Sequence, residues 1–437
     1  MHVFVTIPAL NEKDFITGVL QDLSKQEYAD FTLLVCVNQP DAWWDDEAKK
    51  EICINNVETM AYVQSFCELH KIKLILIDKC TKGNGWDYQR GGVGWARKVL
   101  MDQANDIADE DDIIVSLDAD TRVESNYLSE IVRQFLLFPK ASAIALPYFH
   151  RLQGDDEHKK SMLRYEIYLR SYAINLLRIK HPYSYTPIGS AMAARVSAYR
   201  KIRGIAATSS GEDFYFMMKL RKVGVIIPYC DTKVYPSSRK SHRVIFGTGP
   251  TVALGALGQF ERYPIYQPAL FNDIENACRS FGELFIANNQ TAADRILKVF
   301  PDIEYEKLLQ NHPQLIRFIH ACYQKADAFA IYKYVKANQP VNANELKSIA
   351  DLLAIFDISF NNLLDVGKDN NINSPLHIED KTIESETPHG LHNLSVEQLK
   401  TLLACLTEIE EKFLIKLYDY YFALRNDLKN PVWKYMS

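Results

Sequence analysis

Short apolar runs rich in β-branched residues alternate with helix-like segments through the first part of the chain. The runs predict buried strands at Val3–Ile7, Thr32–Val37, Lys73–Ile77 and Ile113–Leu117. Helical spacing fills the stretches between them, as in Glu12–Lys25 and Gly92–Asn105. Parallel strands need such crossovers, so the alternation predicts an α/β fold with a mostly parallel sheet and helices on both faces. Ligands of these sheets bind at the carboxyl ends of the strands, where the chemistry is therefore expected.

The pattern changes after about residue 290, where apolar residues recur at helical spacing. The clearest repeat runs over 399–424, and Ser395 with Gln398 predicts a capping box that opens this helix. The segment 305–336 is also helical in pattern and is predicted to break near Pro313. No catalytic motif is evident in this part of the chain, which indicates an accessory helical domain.

Two domains are therefore expected. The catalytic domain is predicted over residues 1–265 and an all-helical accessory domain over 266–437. Residues 365–391 are polar and rich in Asn, Asp, Glu and Ser, which predicts a flexible segment.

Composition and charge argue against nucleic acid as a partner and against a disulfide-bonded protein. The chain has 437 residues and a formal net charge of -5, so no strong basic field favours nucleic acid as the main partner. The eight cysteines form no Cys-x-x-Cys pair, which is more typical of buried thiols in a reducing compartment than of a disulfide framework or a zinc site.

The sequence predicts a cytoplasmic protein. The chain enters a strand almost at once, without the apolar stretch of a secretory signal. The least polar segment, Val244–Phe260, is interrupted by four glycines and a proline and is too short to span a bilayer. His158–Lys180 combines tyrosines with many basic residues, which allows peripheral contact with a membrane, but packing of the tyrosines in a core is favoured.

Asp118 and Asp120 carry the strongest chemical signal. They lie two residues apart directly after a predicted strand, so both carboxylates can converge on one hard cation. Oxygen ligands of this kind suit Mg²⁺ or Mn²⁺, and such a cation neutralises charge that develops on a diphosphate leaving group. Two aspartates in a solvated turn are the simpler interpretation, so the surrounding motifs decide between them.

Those motifs follow one another in a fixed order. They are Pro8–Glu12, Val37–Gln39, Lys82–Gly85, Gly91–Lys98, Asp118–Asp120, Gly189–Met192 and Gly211–Asp213. Their order and spacing resemble family 2 of the inverting glycosyltransferases, which have the GT-A fold. The resemblance covers roughly residues 1–245. It implies a nucleoside-diphosphate sugar as donor, a UDP-sugar by default, and transfer to an acceptor hydroxyl by direct displacement with inversion.

The resemblance also implies a donor site at the strand ends. The nucleotide-binding residues are predicted to be Pro8, Asn11, Glu12, Asn38, Gly94, Arg97 and Asp118. The Gly91–Gly94 turn opens a helix, so its N–H groups can face phosphate, with Arg97 one turn further on. A surface salt bridge is the alternative role for Arg97. Glu12 is interpreted equally well as a ribose or base ligand and as a carboxylate at a helix N-terminus.

The catalytic base is predicted at the pair Glu212 and Asp213. An inverting transfer needs one base on the face of the sugar opposite the leaving group, and a carboxylate can take the acceptor proton. The family places its base at the second residue of such a pair, which is Asp213, while Glu212 is predicted to bind the acceptor. Acidic capping of the helix that follows is the alternative.

A short basic cluster over 237–243 supplies further candidates. Arg239 and Arg243 are predicted to hold the diphosphate, and His242 is the candidate for a third metal ligand. Tyr263 ends a segment that resembles the Gln-x-x-Arg-Trp signature of processive synthases in the same family, with Tyr in place of Trp. That departure, and the missing membrane helices, favour chance similarity.

Two alternatives stay open. A sugar nucleotidyltransferase also combines an α/β sheet with carboxylates and a metal ion, but a Gly-rich basic loop usually follows its first strand, where this chain has Pro8–Glu12. A non-catalytic sugar-nucleotide-binding protein of the same fold is the other alternative, and the presence of both Asp118 and Asp120 argues against it. For the favoured transferase, the partners are a nucleotide-sugar donor and a glycan or lipid-linked acceptor.

Overall fold

The computed structural model describes residues 1–87, 91–208, 211–239, 249, 254–255, 259, 263–365 and 390–425. Its described residues group into two compact units. Unit 1 draws on residues 1–151, 185–250 and 417–428, and unit 2 draws on residues 152–184 and 251–416. The predicted division at residue 265 stays a prediction, and the grouping by contacts assigns 152–184 to the helical unit instead.

Unit 1 is built on a seven-stranded sheet. Its strands are β1 (Val3–Ala9), β2 (Phe31–Asn38), β3 (Lys73–Lys79), β4 (Ile113–Ser116), β6 (Ala141–Ala145), β7 (Met192–Arg195) and β8 (Val225–Ile227). Their order is β3-β2-β1-β4-β7-β6-β8, and β7 alone among these seven runs antiparallel to its neighbours. A separate antiparallel pair joins β5 (Arg122–Val123) to β9 (Val234–Tyr235). The four strands predicted from the sequence and the mostly parallel sheet are confirmed.

Helices cover both faces of this sheet. They are α1 (Ile16–Leu23), α2 (Lys50–His70), α3 (Val93–Ile107), α4 (Tyr127–Leu137), α6 (Val196–Lys201) and α7 (Glu212–Val223), with 3-10 turns at Asp41–Asp45 and Glu47–Lys49. Phe4, Leu34 and Ile114 join Leu100 and Met101 of α3 in one buried cluster. Successive strand residues point to opposite faces, so the neighbouring buried β-branched residues of β1, β2 and β4 fill the other face.

The chain reverses its direction across the sheet between β3 and β4. It first steps outward from β1 to β3 and then returns to place β4 on the other side of β1. Right-handed crossovers therefore send α1 and α2 to one face and α3 to the other. The loops that leave β1 and β4 diverge, and they open a crevice at the carboxyl ends of these two strands, where ligands bind in open α/β sheets.

Unit 2 is helical in its described residues. It comprises α5 (Asp156–Arg178), α8 (Pro268–Ala287), α9 (Gln290–Val299), α10 (Tyr305–Asn311), α11 (Leu315–Lys325), α12 (Ala328–Asn338), α13 (Glu345–Ala354), α14 (Phe360–Asp365), a 3-10 turn at Leu391–Asn393 and the first part of α15 (Val396–Ala423). The predicted break near Pro313 separates α10 from α11. The predicted capping box is confirmed, because the Ser395 N–H donates to Gln398 Oε1 at 2.9 Å and the Gln398 N–H donates to Ser395 Oγ at 3.2 Å.

The tyrosines of α5 are half-buried and pack among other aromatic rings of unit 2. Tyr168 has ring contacts with Tyr165, Tyr172, Tyr263 and Tyr266, which agrees with the packing interpretation of this segment. None of the helices in the described ranges is long and apolar enough to cross a membrane. The predicted flexible segment over 365–391 lies outside the described residues, except for its ends.

Candidate active site

The predicted acids follow β4 at the edge of the sheet crevice. β4 ends at Ser116, and the chain turns at Asp118, whose carbonyl accepts the Thr121 N–H at 3.1 Å. The Asp118 side chain is 39 % exposed and that of Asp120 is 15 % exposed. The two carboxylates therefore lie where the fold is expected to bind its ligand, but each has a different arginine as its partner.

Arg97 gathers four acceptors around one buried guanidinium. Its Nη2 donates to Asp118 Oδ1 at 2.8 Å, and its Nε donates to Glu212 Oε1 at 3.0 Å. Its Nη1 donates to Ser116 Oγ at 2.6 Å and to the Gly189 carbonyl at 2.7 Å. Burial alone would lower the pKa of Arg97, but the nearby carboxylates raise it further than burial lowers it, so this residue stays charged.

Two glycines make this arrangement sterically feasible. A Cβ on Gly189 would lie 2.5 Å from Nη2 of Arg97, so any side chain there would displace the guanidinium. A Cβ on Gly94, in the first turn of α3, would lie 2.0 Å from the Thr208 carbonyl oxygen. Gly94 thus lets α3 begin in contact with the segment that leads into α7. Its predicted role toward a donor phosphate stays a prediction.

Glu212 and Asp213 form the first turn of α7. The preceding Gly211 has a φ of 69°, a left-handed conformation that suits glycine. Glu212 is buried against Arg97. Burial and the charge of Glu212 raise the pKa of Asp213 to about 6, although Arg97 and the hydrogen bond from the Phe214 N–H oppose the shift. Asp213 can therefore exchange a proton near neutral pH.

Arg239 organises a second network. Its Nε lies 2.6 Å from Asp120 Oδ2, its Nη2 pairs with Glu12, and its guanidinium carbon lies 4.0 Å from the centre of the Phe15 ring. The Asp120 carbonyl accepts a hydrogen bond of 2.6 Å from Arg151 Nη2. One cation thus joins the loop after β1 to the loop after β4.

The remaining predicted nucleotide ligands line the end of β1 and β2. Asn38 is buried, and its amide donates to the Ala9 carbonyl at 2.9 Å while its Oδ1 accepts from Trp86 Nε1 at 3.1 Å. Asn11 has a φ of 57°, and its N–H donates to Asn56 Oδ1 at 2.7 Å. Pro8 is buried within β1 beside Cys36 of β2. These contacts are made within the protein, and they hold the backbone at the edge of the crevice in place.

Some contributors were not predicted. No sequence motif contains Ser116, Phe15 or Arg151. Of the three, only Ser116 could have been noticed, because it is a polar residue at the end of an apolar strand. The Lys82–Gly85 loop is organised by two carboxylates that sequence reasoning passed over. Asp41 accepts from the N–H groups of Gly83 at 2.7 Å and Gly85 at 3.3 Å.

The second of these carboxylates is Asp78. It accepts from the N–H groups of Cys80 and Thr81, both at 2.9 Å. Burial would raise the pKa of Asp78, but these hydrogen bonds, with others from the Thr81 hydroxyl and the Asn84 amide, outweigh burial and lower it to about 2. Asp78 therefore stays ionised and holds the loop in shape.

His242 and Arg243 lie outside the described residues. Within the part of the chain that the structure describes, there is no group of three or more His, Cys, Asp or Glu residues placed to hold a metal ion. Asp118 and Asp120 are the two predicted metal ligands that the structure does describe, and their predicted role stays a prediction.

Residues 113–322 match the family model described as Glycosyl transferase family group 2. This segment, just under half of the chain, carries a glycosyltransferase domain of this family. The matched segment begins at β4 and contains Asp118, Asp120 and Asp213. The predicted enzyme class is thus confirmed, and the structure confirms the predicted α/β architecture of a mostly parallel sheet with helices on both faces and C-terminal helices. The nucleotidyltransferase and non-catalytic alternatives are not favoured.

No curated protein matches this sequence. Among solved structures, the chain is similar to Staphylococcus aureus TarS. The complex of TarS 1-349 with UDP-GlcNAc is 13% identical, with a TM-score of 0.37, over 77% of this chain and 92% of that chain. The UDP complex is 11% identical, with a TM-score of 0.37, over the same shares. A longer TarS structure is 13% identical, with a TM-score of 0.34, over 77% of this chain and 55% of that chain. Likenesses of this size do not bear on the assignment.

Proposed function

We propose that the protein transfers a sugar from a nucleoside-diphosphate sugar, by default a UDP-sugar, to a hydroxyl of a glycan or lipid-linked acceptor with inversion. The family assignment supports glycosyl transfer. The observation that carries the finer proposal is the single guanidinium of Arg97, which binds both Asp118 at the strand end and Glu212 beside Asp213. It brings a donor-side carboxylate and a candidate base to the same crevice.

Asp213 is the proposed base. As the acceptor oxygen attacks the anomeric carbon, its proton passes to the Asp213 carboxylate. The bond between the anomeric carbon and the diphosphate oxygen breaks, and its electron pair leaves with the nucleoside diphosphate. General base catalysis is most efficient when the pKa lies near the working pH, and burial brings that of Asp213 to about 6. Glu212, held by Arg97, is proposed to orient the acceptor.

The donor is proposed to lie along the carboxyl ends of β1, β2 and β4. Pro8, Asn11 and Asn38 would border the nucleoside, while Gly94 and Asp118 would lie toward the sugar phosphate. Arg239 pairs with both Glu12 and Asp120, so it lies at that edge, and we propose it as the diphosphate partner, together with Arg243. A diphosphate would replace one carboxylate as the anion that Arg239 binds.

A divalent cation is part of the proposal. Asp118 and Asp120 supply hard oxygen atoms, and a bound diphosphate would supply more, which is the ligand set that Mg²⁺ and Mn²⁺ prefer. The residues therefore fit a cation shared between protein and donor, with His242 as a further candidate ligand. When bound, the cation would neutralise negative charge on the diphosphate.

The test begins with binding and then measures turnover. Nucleoside diphosphates with Mn²⁺ should raise the melting temperature of the wild-type protein by mass action. UDP release from UDP-sugars should fall at least ~100-fold in Asp213→Asn, the lower range for loss of a general base. Glu212→Gln should mainly raise the KM for acceptor. Asp106→Asn, an exposed acid near the end of α3, is the matched control and should behave as wild type. Near-normal turnover in Asp213→Asn would refute the assignment of the base.

A further inference from the structure

Arg97 has an unusual number of partners for one side chain. A guanidinium carries five N–H donors in a fixed plane. Four hydrogen bonds leave Arg97, and they reach the end of β4, the turn after it, the loop before β7 and the start of α7. Ser116 and Asp118 are close in sequence, but Gly189 and Glu212 are far from them and from each other, so no local turn geometry sets the relative positions of these three stretches.

The residue that joins them is itself firmly held. Arg97 is 3 % exposed, and its helix α3 packs its buried residues Ala96, Leu100 and Met101 into the core of unit 1. Gly189 closes on the guanidinium so tightly that even a Cβ would collide with it. A rigid core helix thus carries the cation, while the acceptors lie at strand ends and loops. The position of α3 therefore fixes, through Arg97, the positions of these strand ends and loops.

Little of the guanidinium is left for a ligand. With four of the five N–H groups committed to protein acceptors, Arg97 cannot offer the two parallel donors that an arginine uses to bind a phosphate. Its single positive charge is already more than balanced, because Asp118 and Glu212 place two carboxylates against it. This pattern is that of a brace between protein groups.

We propose that Arg97 is a positioning residue of the transfer reaction, which fixes Asp118 at the donor edge relative to Glu212 and the adjacent base Asp213 without contacting the diphosphate. The proposal rests on the proposed function. The positioning role requires arginine, because a lysine ammonium would keep the positive charge but could not donate hydrogen bonds to all four acceptors around a planar group. Lysine would serve well, in contrast, if the role were to bind a phosphate as a point charge.

The experiment compares UDP with UMP in wild type, Arg97→Lys and Arg97→Gln. Affinities for both nucleotides are measured by calorimetry, and kcat is measured for sugar transfer. A positioning residue predicts that kcat falls about 100-fold in Arg97→Gln and at least about 10-fold in Arg97→Lys. The ratio of UDP affinity to UMP affinity should stay within about threefold of wild type in both variants, since neither loses a contact to the β-phosphate.

The opposite pattern would overturn the proposal. A selective loss of UDP affinity relative to UMP, of about tenfold or more in Arg97→Gln and restored by Arg97→Lys, would make Arg97 a diphosphate ligand. Arg195→Gln is the control for general loss of packing, because Arg195 is buried in β7 and bonds to the carbonyls of Ala141 and Phe135 and to Asp111, away from the proposed site. It should lose stability and keep its kcat at a temperature where it is folded.

Two further outcomes are separable. If Arg97→Gln does not fold, Arg97→Lys decides, because a kcat loss with an unchanged UDP to UMP ratio supports positioning and full activity refutes it. If wild-type protein binds no nucleotide and turns over no nucleotide sugar, the proposed function fails and this inference fails with it. Normal wild-type turnover with a selective UDP defect refutes the inference alone.

Discussion

At the scale of single residues, the carboxylates of the crevice differ in what their surroundings do to them. Asp213 is half-buried beside Glu212, and its pKa rises to about 6. Asp78 is partly buried too, but hydrogen bonds from its own loop lower its pKa to about 2. The surroundings therefore disfavour the charged carboxylate at Asp213 and favour it at Asp78. The free energy of unfolding should depend on pH in opposite directions at the two positions.

The ionised form of Asp213 should destabilise the folded protein. Because its folded pKa is raised above the usual value of 3.8, the folded state binds this proton more tightly than the unfolded chain does. The resulting stabilisation is complete below about pH 4 and is lost as the pH rises through about 6. At about pH 8, Asp213→Asn should raise the free energy of unfolding by about 1–3 kcal/mol while it lowers turnover.

Asp78→Asn is the matched comparison, with the sign reversed. Its folded pKa is lowered, so its stabilisation is present above about pH 4 and is lost as the pH falls toward about 2. At about pH 8 this variant should lose about 1–2 kcal/mol of unfolding free energy. Urea unfolding at about pH 8 and about pH 5 measures both. A destabilised Asp213→Asn at pH 8 would contradict the assigned environment of Asp213.

The acids of the site could be chosen from the sequence, but their partners could not. Asp118 and Asp213 stood in recognisable motifs, next to a strand and a helix. The bonds that Arg97 makes to Glu212 and to Gly189 span 115 and 92 positions, and Arg239 reaches Glu12 across 227. Such pairings depend on how strands are ordered in the sheet, and nothing in the local pattern of residues encodes them.

At the scale of elements, the start of α3 lies in close contact with Thr208, a few residues before α7. Gly94 lies in the first turn of α3, and its backbone approaches Thr208, a few residues before Glu212. The glycines of this turn were interpreted from the sequence as a phosphate-binding feature. The structure adds a packing reason for one of them, since no other residue permits this approach.

Gly94→Ala should damage both stability and turnover. Its Cβ would lie 2.0 Å from the Thr208 oxygen, so the segment before α7 must shift, at a cost of about 1–3 kcal/mol. Gly282→Ala in α8 is the control, because nothing lies within 4 Å of the added Cβ, and alanine in a helix should stabilise by about 0.5–1 kcal/mol. Thermal unfolding and transfer rates measure both variants. Equal behaviour of the two would show that the contact with Thr208 is unimportant.

The start of helix α1 could not be predicted from the residue pattern. The helix expected over Glu12–Lys25 begins only at Ile16. The residues before it form a loop in which Asn11 is left-handed and Glu12 turns toward Arg239. Helical periodicity continues through Glu12 in the sequence. In the structure the Glu12 carbonyl accepts the Phe15 and Ile16 N–H groups at 3.0 and 2.9 Å, so Glu12 precedes the helix while its side chain pairs with Arg239.

At the scale of the whole molecule, the two units are interleaved along the chain. Helix α5 falls between β6 and β7 of unit 1 in sequence, yet it belongs to unit 2. There Leu163 and Ile167 share a buried cluster with Leu402 and Leu406 of α15. Arg170 pairs with Glu410 across 240 positions, with both side chains 5 % exposed. The apolar face of α5 was readable in the sequence, but the helices that cover it were not.

The interleaving makes a prediction about the expected catalytic domain, residues 1–265. This fragment would keep α5 but lose α13 and α15, which exposes Leu163 and leaves the buried Arg170 without Glu410. Removing one partner of a buried ion pair alone costs about 3–5 kcal/mol. The fragment would also lose Tyr418 and Phe422, whose rings pack edge-on against Phe138 within unit 1. We expect it to aggregate, or to unfold without a cooperative transition.

Co-expression with residues 266–437 supplies the control, because it returns the missing helices without a covalent link. The pair should co-purify and recover a cooperative thermal transition, while either half alone should not. Full-length protein with Tyr418→Ala and Phe422→Ala separates the second contribution, since it keeps the partners of α5 and removes only the rings against Phe138. It should stay cooperative and lose about 2–5 kcal/mol of unfolding free energy. If residues 1–265 alone unfold cooperatively at the full-chain melting temperature, the boundary drawn from the sequence is a true folding boundary, and the long-range contacts of α5 are dispensable for folding.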